Sequence, residues 1–93
     1  MPNAKYISGR TFEYKVKSFL EGQGYFVVRS AGSHSPVDLV AVDSLGQVLF
    51  VQCKLKGAMT KKEQKDFAGF TNKYNCTPIF AYKVGRTMEL EKL

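Results

Sequence analysis

Pro36-Val37-Asp38-Leu39-Val40-Ala41-Val42 and, a few residues on, Gln47-Val48-Leu49-Phe50-Val51-Gln52-Cys53-Lys54-Leu55 are the stretches that decide the fold. Both are dense in β-branched and aromatic side chains and read as strands, over Val37–Val42 and Gln47–Leu55. Asp43-Ser44-Leu45-Gly46 between them has the chemistry of a hairpin turn, so the two strands are expected to pair directly and antiparallel.

Upstream, Phe12, Val16, Phe19 and Leu20 recur at the spacing of one helical face, which predicts an amphipathic helix from about Gly9 to Glu21, stopped at Gly22 and Gly24. Tyr25–Ser30 reads as a strand, followed by a polar loop over Ala31–Ser35. Downstream, Thr60 with Glu63 has the spacing of a capping box, opening a helix to about Tyr74 with Phe67, Phe70, Thr71 and Tyr74 as its buried stripe. Pro78–Val84 reads as a central strand and Thr87–Glu91 as an edge strand in which Met88 and Leu90 alternate. The order helix, three strands, helix, one or two strands predicts an α/β fold, a mixed β-sheet flanked by helices.

Ninety-three residues allow one core, so residues 1–93 are expected to form a single domain, with association into a dimer as a further source of stability. No stretch is apolar for long enough to span a membrane, and Met1–Gly9 lacks the layout of a secretory signal, which places the chain inside the cell. Cys53 and Cys76 lack a metal-binding spacing and read as buried, reduced thiols. Fourteen Lys and Arg against eight Asp and Glu give a net charge of +6, which favours a polyanionic partner, nucleic acid above all.

The residues that carry chemistry lie on the predicted hairpin. Side chains two apart on a strand share a face, so Gln52 and Lys54 project together, and the hairpin can bring Asp38 beside them. A carboxylate, a second oxygen ligand and a lysine suit a divalent-metal phosphodiesterase, in which oxygens hold Mg2+ or Mn2+ and the ammonium orients the nucleophile or steadies developing charge. Glu13, read alone, is an ordinary surface acid. At about 100° per residue it falls on the flank of the apolar helical stripe, next to Leu20, from where it can reach the sheet edge as a fourth member.

Around these residues, Arg10, Arg29, Lys56, Lys61, Lys62 and Lys65 form a set able to neutralise backbone phosphates without reading bases. Ser33, His34 and Ser35 in the polar loop are candidate phosphate contacts, and Gln64 is a further candidate from the second helix. Each of these taken singly also reads as ordinary surface polarity. Phe67, Phe70 and Tyr74 read as core or dimer contacts rather than base-stacking platforms.

Gly9-Arg10-Thr11-Phe12-Glu13, then Val27-Val28-Arg29-Ser30, a Gly-Ser loop, Pro36-Val37-Asp38-Leu39-Val40-Ala41 and a strand ending Gln52-Cys53-Lys54 resemble the archaeal-type (Hjc-like) Holliday-junction resolvases of the PD-(D/E)XK nuclease superfamily. The resemblance runs from Gly9 to about the second helix, with a weaker echo over Ile79–Leu93. It implies a Mg2+-dependent endodeoxyribonuclease acting as a homodimer on four-way DNA junctions by paired nicks, with Glu13, Asp38 and Lys54 catalytic and Ser33 contributing. It implies neither a membrane partner nor a small-molecule substrate. Gln52 departs from the pattern, which has an acid there; Mrr-like restriction nucleases resemble the chain in carrying Gln-x-Lys. Two alternatives follow: a nuclease acting on ordinary, modified or nicked duplex, and a nuclease-derived DNA-binding module whose chemistry is lost.

Overall fold

The computed structural model describes residues 4–30, 35–55 and 58–93, with side chains from Gly9 onward. Two helices and five strands follow in the order α1 (Ala4–Gly22), β1 (Phe26–Arg29), β2 (Leu39–Val42), β3 (Val48–Lys54), α2 (Lys61–Asn72), β4 (Thr77–Val84) and β5 (Thr87–Lys92). The strands form one mixed sheet in the order β1-β2-β3-β4-β5, antiparallel except for the parallel pair β3 and β4, which α2 connects. The predicted α/β class and element order therefore hold, and β5 lies at the sheet edge as expected.

The hairpin forms through the predicted turn. Asp43 Oδ1 accepts from the amides of Leu45 and Gln47, both at 2.9 Å, and Gly46 takes φ +84°, a left-handed conformation that glycine adopts without steric cost. Antiparallel pairing of Leu39 with Val51 and Ala41 with Leu49 then puts these four side chains on one face. There they meet Phe12, Val16 and Leu20 of α1, together with Val27 and Ala81, in the larger core cluster. On the opposite face Phe67 of α2 packs with Val37, Met59 and Phe80 in a smaller cluster. The alternation along β3 thus assigns Leu49, Val51 and Cys53 to the α1 side and Phe50, Gln52 and Lys54 to the α2 side.

Several boundaries and burials differ from the sequence reading. The helix α1 begins at Ala4, and Phe19 near its end is 44% exposed although it shares the stripe spacing. β2 starts at Leu39 rather than Val37, because the ladder steps by one residue at Asp38. α2 ends at Asn72, so Tyr74 is a turn residue and 58% exposed rather than buried. Cys53 and Cys76 are free, as expected, but only partly buried.

Candidate active site at one end of the sheet

Polar side chains gather where β1 and β3 end, β2 begins, α1 passes and α2 starts. Asp38 is fixed here by three hydrogen bonds. Its carbonyl accepts from the Ser30 amide at 2.9 Å, its amide donates to the Val51 carbonyl at 2.8 Å, and its Oδ2 accepts from the Cys53 amide at 2.8 Å. Since Leu39 is the register partner of Val51, the β2–β3 ladder shifts by one residue at Asp38. Such steps re-aim a side chain at the rim of a sheet.

From α1, Glu13 Oε1 accepts from Arg29 Nε at 2.9 Å, with the two side chains 22% and 21% exposed. The Arg29 guanidinium also lies 5.3 Å from the centre of the Tyr14 ring, and that of Arg10 lies 5.7 Å from the same ring. Burial pushes the Asp38 carboxyl above its ordinary value of 3.8; the Cys53 amide offsets part of this, Glu13 adds to it and Arg29 opposes it. The Cys53 thiol is raised as well, by burial and then by Asp38 and Glu13, which keeps it neutral and unreactive. Burial is therefore the main influence on the Asp38 carboxyl, ahead of its charged neighbours.

Gln52 and Lys54 stand on the neighbouring strand, on its α2 side. The Gln52 Oε1 atom is buried and accepts no hydrogen bond among the described residues. A buried acceptor without a donor is costly and calls for an explanation. It borders a cavity of about 350 Å³ lined by Pro36, Gln52, Glu63, Asp66, Phe67 and Phe70. The Lys54 ammonium donates to both carboxylate oxygens of Glu63, each at 3.2 Å.

The structure therefore brings Glu13, Arg29 and Asp38 into one electrostatic group on the α1 side, and sets Gln52 and Lys54, expected to converge with Asp38, on the α2 side of β3. Ser33, His34 and Lys56 lie outside the described residues. Ser35 Oγ accepts from the Val37 amide at 3.2 Å, and Gln64 Nε2 donates to the Met59 carbonyl at 3.1 Å, so both are engaged locally. Lys61, Lys62 and Lys65 are exposed along α2.

Two features escaped the sequence reading. Glu63, read as a capping residue, also grips Lys54. Lys15 of α1 and Lys83 and Arg86 of the β4–β5 hairpin line a cavity of about 310 Å³ floored by Phe12, Leu55 and Met88, with no carboxylate in its wall among the described residues. Only the folded sheet, which places the β4–β5 turn against α1, joins these three cations.

Residues 4–86 match the catalytic domain of the Mrr type, described as a restriction endonuclease. The chain belongs to this restriction endonuclease family. Within 88 aligned residues it is 35% identical to the crossover junction endodeoxyribonuclease Hjc of Methanocaldococcus jannaschii, covering 90% of this chain and 65% of that protein's length. The chain thus spans a little under two thirds of that relative. Its fold matches the structure of Hjc from Archaeoglobus fulgidus, a Holliday junction resolvase, with a TM-score of 0.72 over 90% of this chain and 71% of the other, at 21% identity. The Hjc-like resemblance read from the sequence is borne out.

Whether the donors suit a divalent cation, as the family's chemistry implies, turns on the third ligand. Among the described residues no three His, Cys, Asp or Glu side chains stand together as a metal cluster. Glu13 and Asp38 supply two carboxylates on the α1 side, and the candidate third donor, the amide oxygen of Gln52, is buried without a partner among the described residues and faces α2. An all-oxygen set of this kind suits a hard cation, with one charge fewer than three carboxylates would bring.

Proposed function

We propose that the chain is a metal-dependent endodeoxyribonuclease that resolves four-way (Holliday) DNA junctions by paired nicks, its 93 residues working as one nuclease domain in the cytoplasm. The observation that carries this reading is the buried, unpartnered Gln52 Oε1 on the strand that holds Asp38 Oδ2, two residues from Lys54.

Glu13, Asp38 and Gln52 would hold Mg2+, for which Mn2+ can substitute. When bound, such a cation polarises the scissile phosphate and lowers the pKa of a water. The chain's own residues do the rest. Arg29 fixes Glu13 through its 2.9 Å ion pair, and the Cys53 amide fixes Asp38. Lys54 offers its ammonium to the nucleophile or to the charge that grows on the phosphate. Water adds to phosphorus, the bond to the leaving sugar oxygen breaks, and that oxygen takes a proton. Arg10, Ser35, Lys61, Lys62 and Lys65, with Lys15, Lys83 and Arg86, supply phosphate contacts that read backbone shape rather than sequence. On sequence grounds Ser33 contributes to catalysis, as in the resolvases it resembles, and His34 and Lys56 add to the phosphate contacts.

A homodimer fits an apolar sheet face that α2 leaves open. Val28 pairs with Val40 and Val40 with Phe50, so the three share that face, and Phe50, Phe70 and Tyr74 form a ring cluster beside them with centroids 5.4 to 6.3 Å apart. Phe26 is 72% exposed, Val28 50% and Tyr74 58%, an apolar surface of the kind a second copy covers.

The test is a cleavage assay on a synthetic four-way junction with Mg2+, beside linear duplex of equal length. Junction nicking that Lys54→Ala abolishes and Gln52→Glu increases supports the proposal; equal rates on the two DNAs refute junction selectivity. Ordinary, modified or nicked duplex is a second reading, favoured by the match to a restriction endonuclease domain and by Gln52, and ranked by rates on those substrates.

A further inference from the structure

Lys54 has a charged partner that the strand itself does not provide. Gln52, two residues earlier on the same face, is neutral, and the ammonium donates instead to both oxygens of Glu63 in the first turn of α2, each at 3.2 Å. Glu63 is itself held: Oε1 accepts from the Thr60 amide at 3.0 Å, and the Glu63 amide donates back to Thr60 Oγ1 at 3.1 Å. The carboxylate is therefore anchored to the helix start by the capping box before it meets the lysine. A long, flexible lysine side chain has much rotamer freedom, and a rigid acceptor takes part of it away.

The contact belongs to the site rather than to general stability. The two side chains are 39% and 41% exposed, and an ion pair that wet contributes little to folding. Both Glu63 and Gln52 line the cavity of about 350 Å³, so the acid and the neutral amide look into the same space.

We infer that Glu63 is a positioning residue: it holds the Lys54 ammonium from the α2 side and supplies the carboxylate that position 52 lacks. This rests on the nuclease reading for the use to which Lys54 is put, but the placement of the ammonium can be measured without DNA or metal.

Glu63→Gln separates the two roles of the side chain. Glutamine also closes a capping box, so α2 keeps its start, while the charge on Lys54's partner is gone. In metal-free protein with 15N-labelled lysine, the Lys54 ammonium, shielded from rapid exchange by its carboxylate, is expected as a resolved signal in the wild type and as lost in Glu63→Gln. Single-turnover cleavage of a four-way junction is expected to fall about 10- to 100-fold, the scale of a misplaced reacting group, with the junction Kd and the Tm unchanged. Adding Gln52→Glu to Glu63→Gln returns a carboxylate to the same face and is expected to raise the rate by a larger factor than Gln52→Glu does in the wild-type background, which no loss of a cap would produce. A Lys54 signal and rate unchanged in Glu63→Gln overturn the inference, as does a rate that falls only with Tm and rises with Gln52→Glu by no more than it does in the wild-type background. Wild-type protein that cuts no DNA would refute the nuclease reading alone, and the ammonium signal would then decide the placement by itself.

Discussion

Removing the three cations around the Phe12-Leu55-Met88 cavity should change how DNA binding responds to salt. Lys15, Lys83 and Arg86 are exposed, and none has an ion pair among the described residues, so Lys15→Ala, Lys83→Ala and Arg86→Ala together leave the fold intact. The cavity spans α1 and the ends of β3, β4 and β5, and β4 lies two strands from β2, just ahead of which Asp38 sits. Two strand spacings are about 10 Å, a distance that a DNA backbone running from the cut site crosses within a few phosphates. Each phosphate neutralised by a lysine or arginine contributes about 0.9 to the slope of log K against log salt, so the triple variant should be shallower by about 2.7. Between about 50 and 200 mM salt, a fourfold change, the gap in affinity between wild type and variant should then narrow by about 40-fold. Fluorescence anisotropy of a labelled four-way junction in the absence of metal measures this directly. A variant whose affinity falls by the same factor at every salt concentration, or whose slope equals the wild type's, would refute the placement of DNA phosphates in this cavity.

Asp38→Asn should abolish cleavage yet raise the Tm of the metal-free protein. A carboxyl whose native pKa lies above its ordinary value of 3.8 lowers stability as pH rises from that value through the native one. The gain from asparagine should therefore be full at neutral pH and vanish in strong acid, and an equal gain at all pH values would contradict the burial argument. Phe67, 1% exposed, anchors α2 to the sheet, and Phe67→Ala should cost about 3–5 kcal/mol in urea unfolding; a cost below about 1 kcal/mol would mean that the α2 layer is not packed as described. Tyr74→Asp puts a charge on the open apolar face and should shift sedimentation from dimer toward monomer with little change in far-UV dichroism. A dimer unaffected by this change would have to use another surface.

The hairpin was legible because its determinants are local. Asp43 and Gly46 set the turn within a few residues, and alternation along the strands then fixes which side chains face α1. The Thr60 and Glu63 capping box was readable for the same reason. The one-residue step at Asp38 was not, because it depends on a side chain taking the Cys53 amide across the ladder. The pair of Glu13 with Arg29 and that of Glu63 with Lys54 were equally hidden, since each joins charges 16 or 9 residues apart that only the packed helices bring together. Arg29, expected to meet phosphate, thus spends its Nε on an acid of the site. Tyr74 kept the spacing of a buried stripe, but α2 ends at Asn72 and the sheet beneath it is open. Periodicity identifies an apolar face without saying whether it is this chain or another that covers it.

Titrating the DNA-free protein with Mn2+ while following side-chain and amide resonances tests the central claim most directly. One paramagnetic ion per chain should broaden Glu13, Asp38 and Gln52 together, and Asp38→Asn should remove all three effects at once. Broadening confined to Asp43 or Asp66, with Glu13 and Gln52 left sharp, would contradict a shared cation site at this end of the sheet.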